Sequence, residues 1–476
     1  MFRNFMVALA FALCAAPGLA QAQSITPLQH AAPGGAAITF QLTDGTVFAQ
    51  SLSNNSVWYK LTPDNTGSYV KGTWTRMASL PTGYSPYAFA SAVLADGRVL
   101  IEGGEYDPGS VFSLTNLGAI YDPTTDGWTM VAPPAGWDYI GDSPSTVLPD
   151  GKYLIGDKIN KKMAELDPVT MTWTAVGAAG KSDFNAEEGW TLMPDGSILT
   201  LDVKDGPNTE IYSPSLGTWQ SAGDTPRKLN GPPCCSCFSY GGKKPYCPPG
   251  EIGPALLMPD GSVFATGAVP KGHSTAHTAI YAAGAWKAGP NFPQGDEAGD
   301  SFAALLPNGH ALVEGISGRL YEFDGQHLTL EPLNAGGNSL MVLPTGEVLI
   351  GGVSVYSSSG SSDAAWAPTV TSCPATLHRG STFQIFGTQF NGLSQANSFG
   401  DELETTTNYP LVRITNNSTG HVFYARTHDH STMGVATGGA IVSTHVDVPS
   451  GMETGASTVV VVANGIPSAP TSVTVK

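Results

Sequence analysis

A short unit built around a tight turn recurs seven times along the chain, and it limits the possible folds more than any other feature. The clearest copy is Phe89 to Gly104, FASAVLADGRVLIEGG: an apolar run, an Asp96-Gly97 turn, and a second apolar run ending in paired glycines. Asp-Gly between two such runs predicts a hairpin whose two turn positions both tolerate positive φ. The equivalent turns fall at Asp44-Gly45, Asp96-Gly97, Asp150-Gly151, Asp195-Gly196, Asp260-Gly261, Asn308-Gly309 and Thr345-Gly346, at spacings of 52, 54, 45, 65, 48 and 37 residues. A period of roughly 40–50 residues with one hairpin per copy predicts a β-propeller, whose radial sheets leave only short, protected edges.

The rest of each unit agrees. A short strand ending in a turn follows the hairpin at AIYDP (Ala119 to Pro123), AELDP (Ala164 to Pro168), EIYSP (Glu210 to Pro214) and AIYAAG (Ala279 to Gly284). A tryptophan strand comes next, at Trp74, Trp128, Trp173, Trp219 and Trp286. Four strands per unit make one blade, and seven units make an all-β ring. The last unit is one strand short, so the stretch Ile25 to His30 is expected to complete it. The double glycine, the Tyr-Asp-Pro turn and the following Trp resemble kelch repeats. A kelch propeller followed by a small β-sandwich is similar to the galactose oxidase and glyoxal oxidase superfamily. The resemblance covers nearly all of the chain after residue 22 and implies architecture more firmly than chemistry.

Residues 1–22 read as a secretory leader, with Arg3 before an apolar core and Ala20-Gln21-Ala22 as cleavage site; Cys14 would leave with it. The predicted organisation is a leader at 1–22, a propeller at 23–356, a linker at 357–366 around Ser357 to Ser362, and an immunoglobulin-like sandwich at 367–476. The sandwich rests on short alternating segments such as Ser381 to Gly387, Pro410 to Asn416, His421 to Thr427, Ser443 to Pro449 and Ser457 to Gly465. No run after the leader approaches the length of a membrane span, so a secreted, periplasmic or extracellular protein is expected. Charged residues make up only 13%, with 57 Gly and 36 Pro, which suits a turn-rich β protein. The formal charge of −17 disfavours nucleic acid and anionic membranes as partners and leaves a cation, a basic protein or a neutral glycan.

The longest spacing holds an insertion, Asn230 to Pro249, with Cys234, Cys235, Cys237 and Cys247; Cys373 lies elsewhere. In an exported chain one or two disulfides stapling this loop are the better reading, because CC-x-C is not a regular zinc pattern.

In a propeller the first strand of each blade lines the central channel, so the residues opening these strands converge on one mouth. Eight or nine positions before the turns stand Asp142, Glu187 with Glu188, Glu251 and Asp300 in blades three to six, with Glu297 nearby. Ala36, Ala88 and Gly337 hold those places in blades one, two and seven. Clustered carboxylates repel one another, which implies a bound cation, raised pKa values or acid–base work. Glu187, Glu251 and Asp300 are the candidate catalytic residues. Asp142, Glu188 and the aromatic residues Trp137, Tyr139 and Trp190, suited to stacking on a sugar ring, are the candidate ligand-binding residues.

A second constellation is His428-Asp429-His430, two histidines flanking an aspartate within reach of a single metal. In galactose oxidase-like enzymes a loop of the corresponding domain brings a copper-binding histidine to the propeller axis, and His428 is the nearest match. Those enzymes also carry a Tyr-His pair before the last hairpin, where this chain has Asn334-Ala335-Gly336-Gly337-Asn338-Ser339. Tyr84 and Tyr87 are loose matches to the radical tyrosine.

Three functions follow as expectations. The first is an exported binding module recognising a glycan, a cation or a cell-surface partner at the acidic, aromatic mouth. The second is a metal-dependent oxidase or hydrolase using that mouth with one divalent metal, copper or calcium. The third is an assembly protein of the cell surface.

Overall fold

The computed structural model describes residues 23–476 except 234–236, 240–244, 335, 337–338 and 403. The leader, Cys234, Cys235 and Gly337 therefore lie outside the described residues. The chain is all-β; its helical content among the described residues is two 3₁₀ turns, Pro293–Gly295 and Ala364–Trp366. Among the described residues no helix is long and apolar enough to cross a membrane.

Seven antiparallel sheets form the propeller. Their innermost strands are Ala36–Gln41, Ala90–Val93, Ser145–Val147, Trp190–Leu192, Ala255–Leu257, Ala303–Leu305 and Leu340–Val342. The seventh blade takes its outer strand from Ser24–Pro27, which pairs with Ser354–Ser357 and closes the ring. The strand Ser354–Ser357 also runs one residue into the expected linker.

All seven predicted turns are hairpins, but the turn type differs from expectation. Only the glycine adopts positive φ (77–87°). In blade one the Leu42 N–H donates to Thr46 O and the Gly45 N–H to Leu42 O, closing a three-residue loop that ends in a left-handed glycine. The aspartate earns its place by its side chain instead. Oδ1 of Asp44, Asp96, Asp150, Asp195 and Asp260 accepts the N–H two residues on, at 2.9–3.2 Å.

The predicted tryptophans sit on outer strands and clip each blade to the one before. Trp128 Nε1 donates to Ala78 O at 3.1 Å, Trp173 Nε1 to Ala132 O at 2.7 Å, and Trp286 Nε1 to Thr209 Oγ1 at 2.8 Å. Each half-buries its ring and satisfies its one polar atom at the same time.

After the propeller, a hydrogen-bonded path of strands runs from Thr369–Ser372 through Thr382–Thr388, Val442–Asp447, Val422–His428, Leu411–Asn416 and Gly455–Ala463 to Thr471–Val475 and Thr376–Leu377. Residues from both halves of the path, such as Ile385, Val446, Val412, Val461 and Val473, share one buried core. This region docks on the rim carrying the hairpin turns: Thr427 N–H donates to Thr43 O, and Met433 N–H to Pro149 O.

Its connection between Thr388 and Leu411 then enters the ring. Asn397–Ser398 pairs with Ala303–Leu305 on the innermost strand of blade six. Gln395 Oε1 accepts Leu192 N–H from blade four at 2.8 Å, and Asn397 Oδ1 accepts Val342 N–H from blade seven at 2.9 Å. Buried amide side chains thus satisfy backbone groups of the innermost strands, which is what lets a polar segment occupy the axis.

Candidate functional site

The far end of the ring opens into a cavity of about 650 Å³. It forms where the innermost strands begin, the end away from the hairpin turns. A left-handed residue stands at each entry. Asp142 and Glu251 follow Gly141 (φ 75°) and Gly250 (φ 102°), whereas Glu187 (59°) and Asp300 (49°) adopt the conformation themselves. A non-glycine residue does so at roughly 1–2 kcal/mol, and such strain clusters at sites that position side chains.

Asp142, Glu187, Glu251 and Asp300 all line the cavity, as predicted from the repeat register. They are joined by Glu105 and Glu314 and, from the axial segment, by Asp401 and Glu402. No described lining residue is a cation, a histidine or a cysteine. Lys158 lies behind them, 1% exposed, bonded to Asp142, 2.7 Å from Glu187 and 3.8 Å from Glu105.

One ammonium against so many carboxyl groups divides their proton affinities. Burial opposes the charge of Lys158, but Asp142 and Glu187 outweigh it and hold its pKa well above the ordinary range. Burial likewise acts to raise Glu187, yet Lys158 and hydrogen bonds from Asp401, Lys158 and Glu251 bring it below the usual carboxylate value. Its neighbours move the other way. Burial, then repulsion from Glu187 and Asp300, pushes Glu251 up to about 9. Burial and Glu187 push Asp300 to about 6, and burial takes Glu402 to about 7. Burial and Glu402 raise Asp401 well above its ordinary value.

Among the described carboxyl groups that line the mouth, two oxygen atoms stay unsatisfied. Oδ1 of Asp142 and Oδ1 of Asp401 are shut off from solvent without a hydrogen-bond partner, each on a side chain of a residue 3% exposed. Asp142, Asp401 and Glu402 each place an oxygen within 4.8 Å of the others, as do Glu187, Glu251 and Asp401. Asp401 belongs to both groups.

Other predicted residues are elsewhere. Glu188 faces away from Glu187, whose left-handed backbone turns the chain just before the strand begins. It is buried with Lys181 Nζ at 2.8 Å in a cluster with Asp183, Asp202 and Glu210. Trp190 packs inside blade four, its ring 6.0 Å from Trp219. Trp137 is buried in the main core, and Tyr139 does not line the cavity. The aromatic wall consists instead of Tyr87, Tyr106, Phe112, Tyr246, Phe302 and Phe399. Tyr106 stands 6.4 Å from Tyr87 and 6.2 Å from Phe112. Tyr106 and Phe112 belong to a long connection between Val99–Glu102 and Gly118–Asp122, whose length was the available signal. Tyr84 is buried, its hydroxyl donating to Gly103 O at 2.7 Å. The cysteine loop also contributes: a Cys237–Cys247 disulfide closes it, and Tyr246 and Pro248 beside Cys247 line the cavity.

The His428 segment does not reach the axis. It lies on the opposite rim, where Arg426 Nη2 donates to Asp96 O at 2.7 Å and the His430 N–H to Ala95 O. His428, Asp429 and His430 do not converge either. His430 turns into the interior, where its Nδ1 meets Thr444 Oγ1 at 2.9 Å and burial, with the adjacent His428, lowers its pKa to about 3. His428 and Asp429 stay at the surface beside His445. Asp401 and Glu402 hold the axial place expected of His428. The missed signal was the connection from Gln389 to Pro410, too long and polar for a hairpin loop.

No family model matches the chain. A curated relative, "Kelch-like protein terF" of Aspergillus terreus (strain NIH 2624 / FGSC A1156), is 32% identical over 88 residues, which are 18% of this chain and 18% of the relative. The chain is thus aligned with under a fifth of that protein. Among solved structures, a fungal alcohol oxidase of the AA5 family in complex with copper superposes with a TM-score of 0.51, at 13% identity, over 96% of this chain and all of that one. The likeness concerns the fold.

Proposed function

We propose that the protein is a propeller-based binding module that holds a hard divalent cation at the axial mouth. Through that cation and the aromatic wall it would recognise a neutral, hydroxyl-rich ligand such as a glycan. The observation that carries this reading is the pair of buried, unpartnered oxygens, Asp142 Oδ1 and Asp401 Oδ1, in a group that also includes Glu402. Buried acceptors without donors are rare in native proteins and point to an ion or its waters. A donor set of carboxylate oxygens suits calcium, magnesium or manganese.

Copper, present in the solved relative, fits this mouth poorly. Imidazole and thiolate are its preferred ligands, and the described lining residues include neither. Tyr87, Tyr106 and Phe112 supply faces for a sugar ring. The Cys237–Cys247 disulfide supports placement in an oxidising compartment. The shared core of the C-terminal strands supports the immunoglobulin-like reading of that region, which here serves to carry the axial segment.

A second reading, a metal-dependent hydrolase, is favoured by the adjacency of Glu187 and Glu251 to the Asp142–Asp401–Glu402 group. Paired carboxyl groups beside a bound substrate are the arrangement needed for acid–base cleavage of a glycosidic bond.

Calcium and manganese titrations of the EDTA-treated full chain test the proposal. Saturable binding that D142N and D401N each weaken at least about tenfold is expected, as is loss of glycan binding in chelator. No saturable binding of either ion overturns it. Turnover of a bound glycan that E251Q abolishes without releasing the ligand would replace it with the hydrolase reading.

A further inference from the structure

On the opposite rim, the antiparallel strands Val422–His428 and Val442–Asp447 set His428 directly across from His445. Their rings stack with centroids 5.5 Å apart. Asp429, immediately after the first strand, takes a left-handed backbone at φ 51°. That conformation turns its carboxylate back over the pair, with Oδ2 2.8 Å from His428 Nδ1 and 3.8 Å from His445 Nδ1. Nδ1 of His445 has no hydrogen bond and no contact with solvent, although the side chain as a whole is 40% exposed.

The far side of His428 is also set. Its Nε2 lies 3.2 Å from Asp447 Oδ1, and Asp447 Oδ2 is held by Arg426 Nη1 at 3.0 Å. A carboxylate that takes the Nε2–H leaves Nδ1 as the nitrogen free to bind, which is how metal-ligating histidines are oriented by their outer partners.

From these contacts we infer that His428, His445 and Asp429 form a zinc(II) site on the outer face of the C-terminal sheet, separate from the mouth and independent of its function. Two imidazole nitrogens and one carboxylate oxygen are a zinc donor set, and water would complete the tetrahedron. The three donor atoms lie within 4.8 Å of one another. Bonds of about 2.0–2.1 Å place tetrahedral ligands roughly 3.3 Å apart. The 2.8 and 3.8 Å separations bracket that value, so small side-chain rotations suffice. Zinc would take the position between His428 Nδ1 and Asp429 that a proton holds without it, and would satisfy the orphaned nitrogen of His445.

Zinc chloride is titrated against a chromogenic zinc indicator with the tag-free, EDTA-treated full chain. With calcium saturating the mouth, the expected result is one saturable zinc site, weakened at least about tenfold in H445A and D429N. D447N should weaken it about 10-fold, the lower end for loss of an outer-sphere partner. H445Q, which retains a polar side chain, guards against misfolding of H445A, and the visible spectrum of the cobalt(II)-substituted protein should show a tetrahedral pattern lost in either variant. D401N at the mouth should leave zinc affinity unchanged. Absence of saturable zinc binding, or equal affinity in parent and both His445 variants, overturns the inference.

Discussion

Asp401 and Glu187 place carboxyl oxygens within 4.8 Å of each other at the propeller axis, one delivered by the C-terminal half and the other by blade four. Neither half of the chain builds this mouth alone. The blades supply a ring of carboxyl groups at equivalent register, and the axial segment supplies the group common to both clusters. The same arrangement explains why protons are unevenly held there. Lys158 keeps Glu187 ionised, so the carboxyl groups around it can share the site only as neutral acids or with another cation.

Lys158 therefore has a testable structural role. Lys158→Met removes the ammonium that Asp142 and Glu187 face and leaves buried carboxylates without a counter-charge. Breaking one side of a buried pair costs about 3–5 kcal/mol. Urea unfolding at neutral pH should show a loss of that order, and millimolar calcium should restore part of it. A loss below about 1 kcal/mol would mean that the carboxyl groups are already protonated.

The raised pKa values give a signed pH dependence for the metal-free protein. Glu251, at about 9 in the fold, binds its proton more tightly there than in the unfolded chain, near 4.5. Its contribution is fully present below about pH 4.5 and is lost as pH rises through 9. Asp300 adds a loss between about 3.8 and 6. The melting temperature without divalent ions should therefore fall from pH 6 to pH 9. E251Q should flatten that slope, and so should saturating calcium, which takes the place of the protons. A metal-free melting temperature rising over this window would contradict the assignment.

Much of this mouth was legible in the sequence because a repeat transfers register. Once the turns were aligned, Asp142, Glu187, Glu251 and Asp300 followed by counting back. Alignment could not tell which of two consecutive residues faces the channel, and Glu188 went inward to Lys181. Nor could it say how the C-terminal half docks, so the axial place was assigned to the His428 segment. That choice depends on contacts such as Gln395 with Leu192, which join distant parts of the chain and leave no local pattern.

The disulfide loop should matter for the ligand more than for the fold. Cys237 and Cys247 are both exposed, while Tyr246 beside them is buried against the cavity. Replacing both cysteines with serine should weaken ligand binding at the mouth several-fold, through disorder of the Tyr246 wall. The melting temperature should move by only a few degrees. Calorimetry of the double variant with the ligand that binds the parent reads both quantities, and unchanged affinity would remove Tyr246 from the recognition surface.

Asn397 tests whether the axial segment is part of the propeller's stability. Buried at 1% exposure, it accepts Val342 N–H through Oδ1 and donates from Nδ2 to Thr405 O at 2.9 Å. Asn397→Ala leaves a backbone donor of blade seven and a carbonyl of the segment unpaired in the interior, each at about 1–3 kcal/mol. Asn397→Asp keeps the acceptor for Val342 but puts a carboxylate against Thr405 O, so it should also destabilise. If the segment clamps the ring, denaturant unfolding of Asn397→Ala will still be one transition, shifted by about 2–5 kcal/mol, with tryptophan fluorescence and backbone circular dichroism coincident. Two separated transitions, with the blade tryptophans unaffected in the first, would show that the segment rests in the channel without holding it closed.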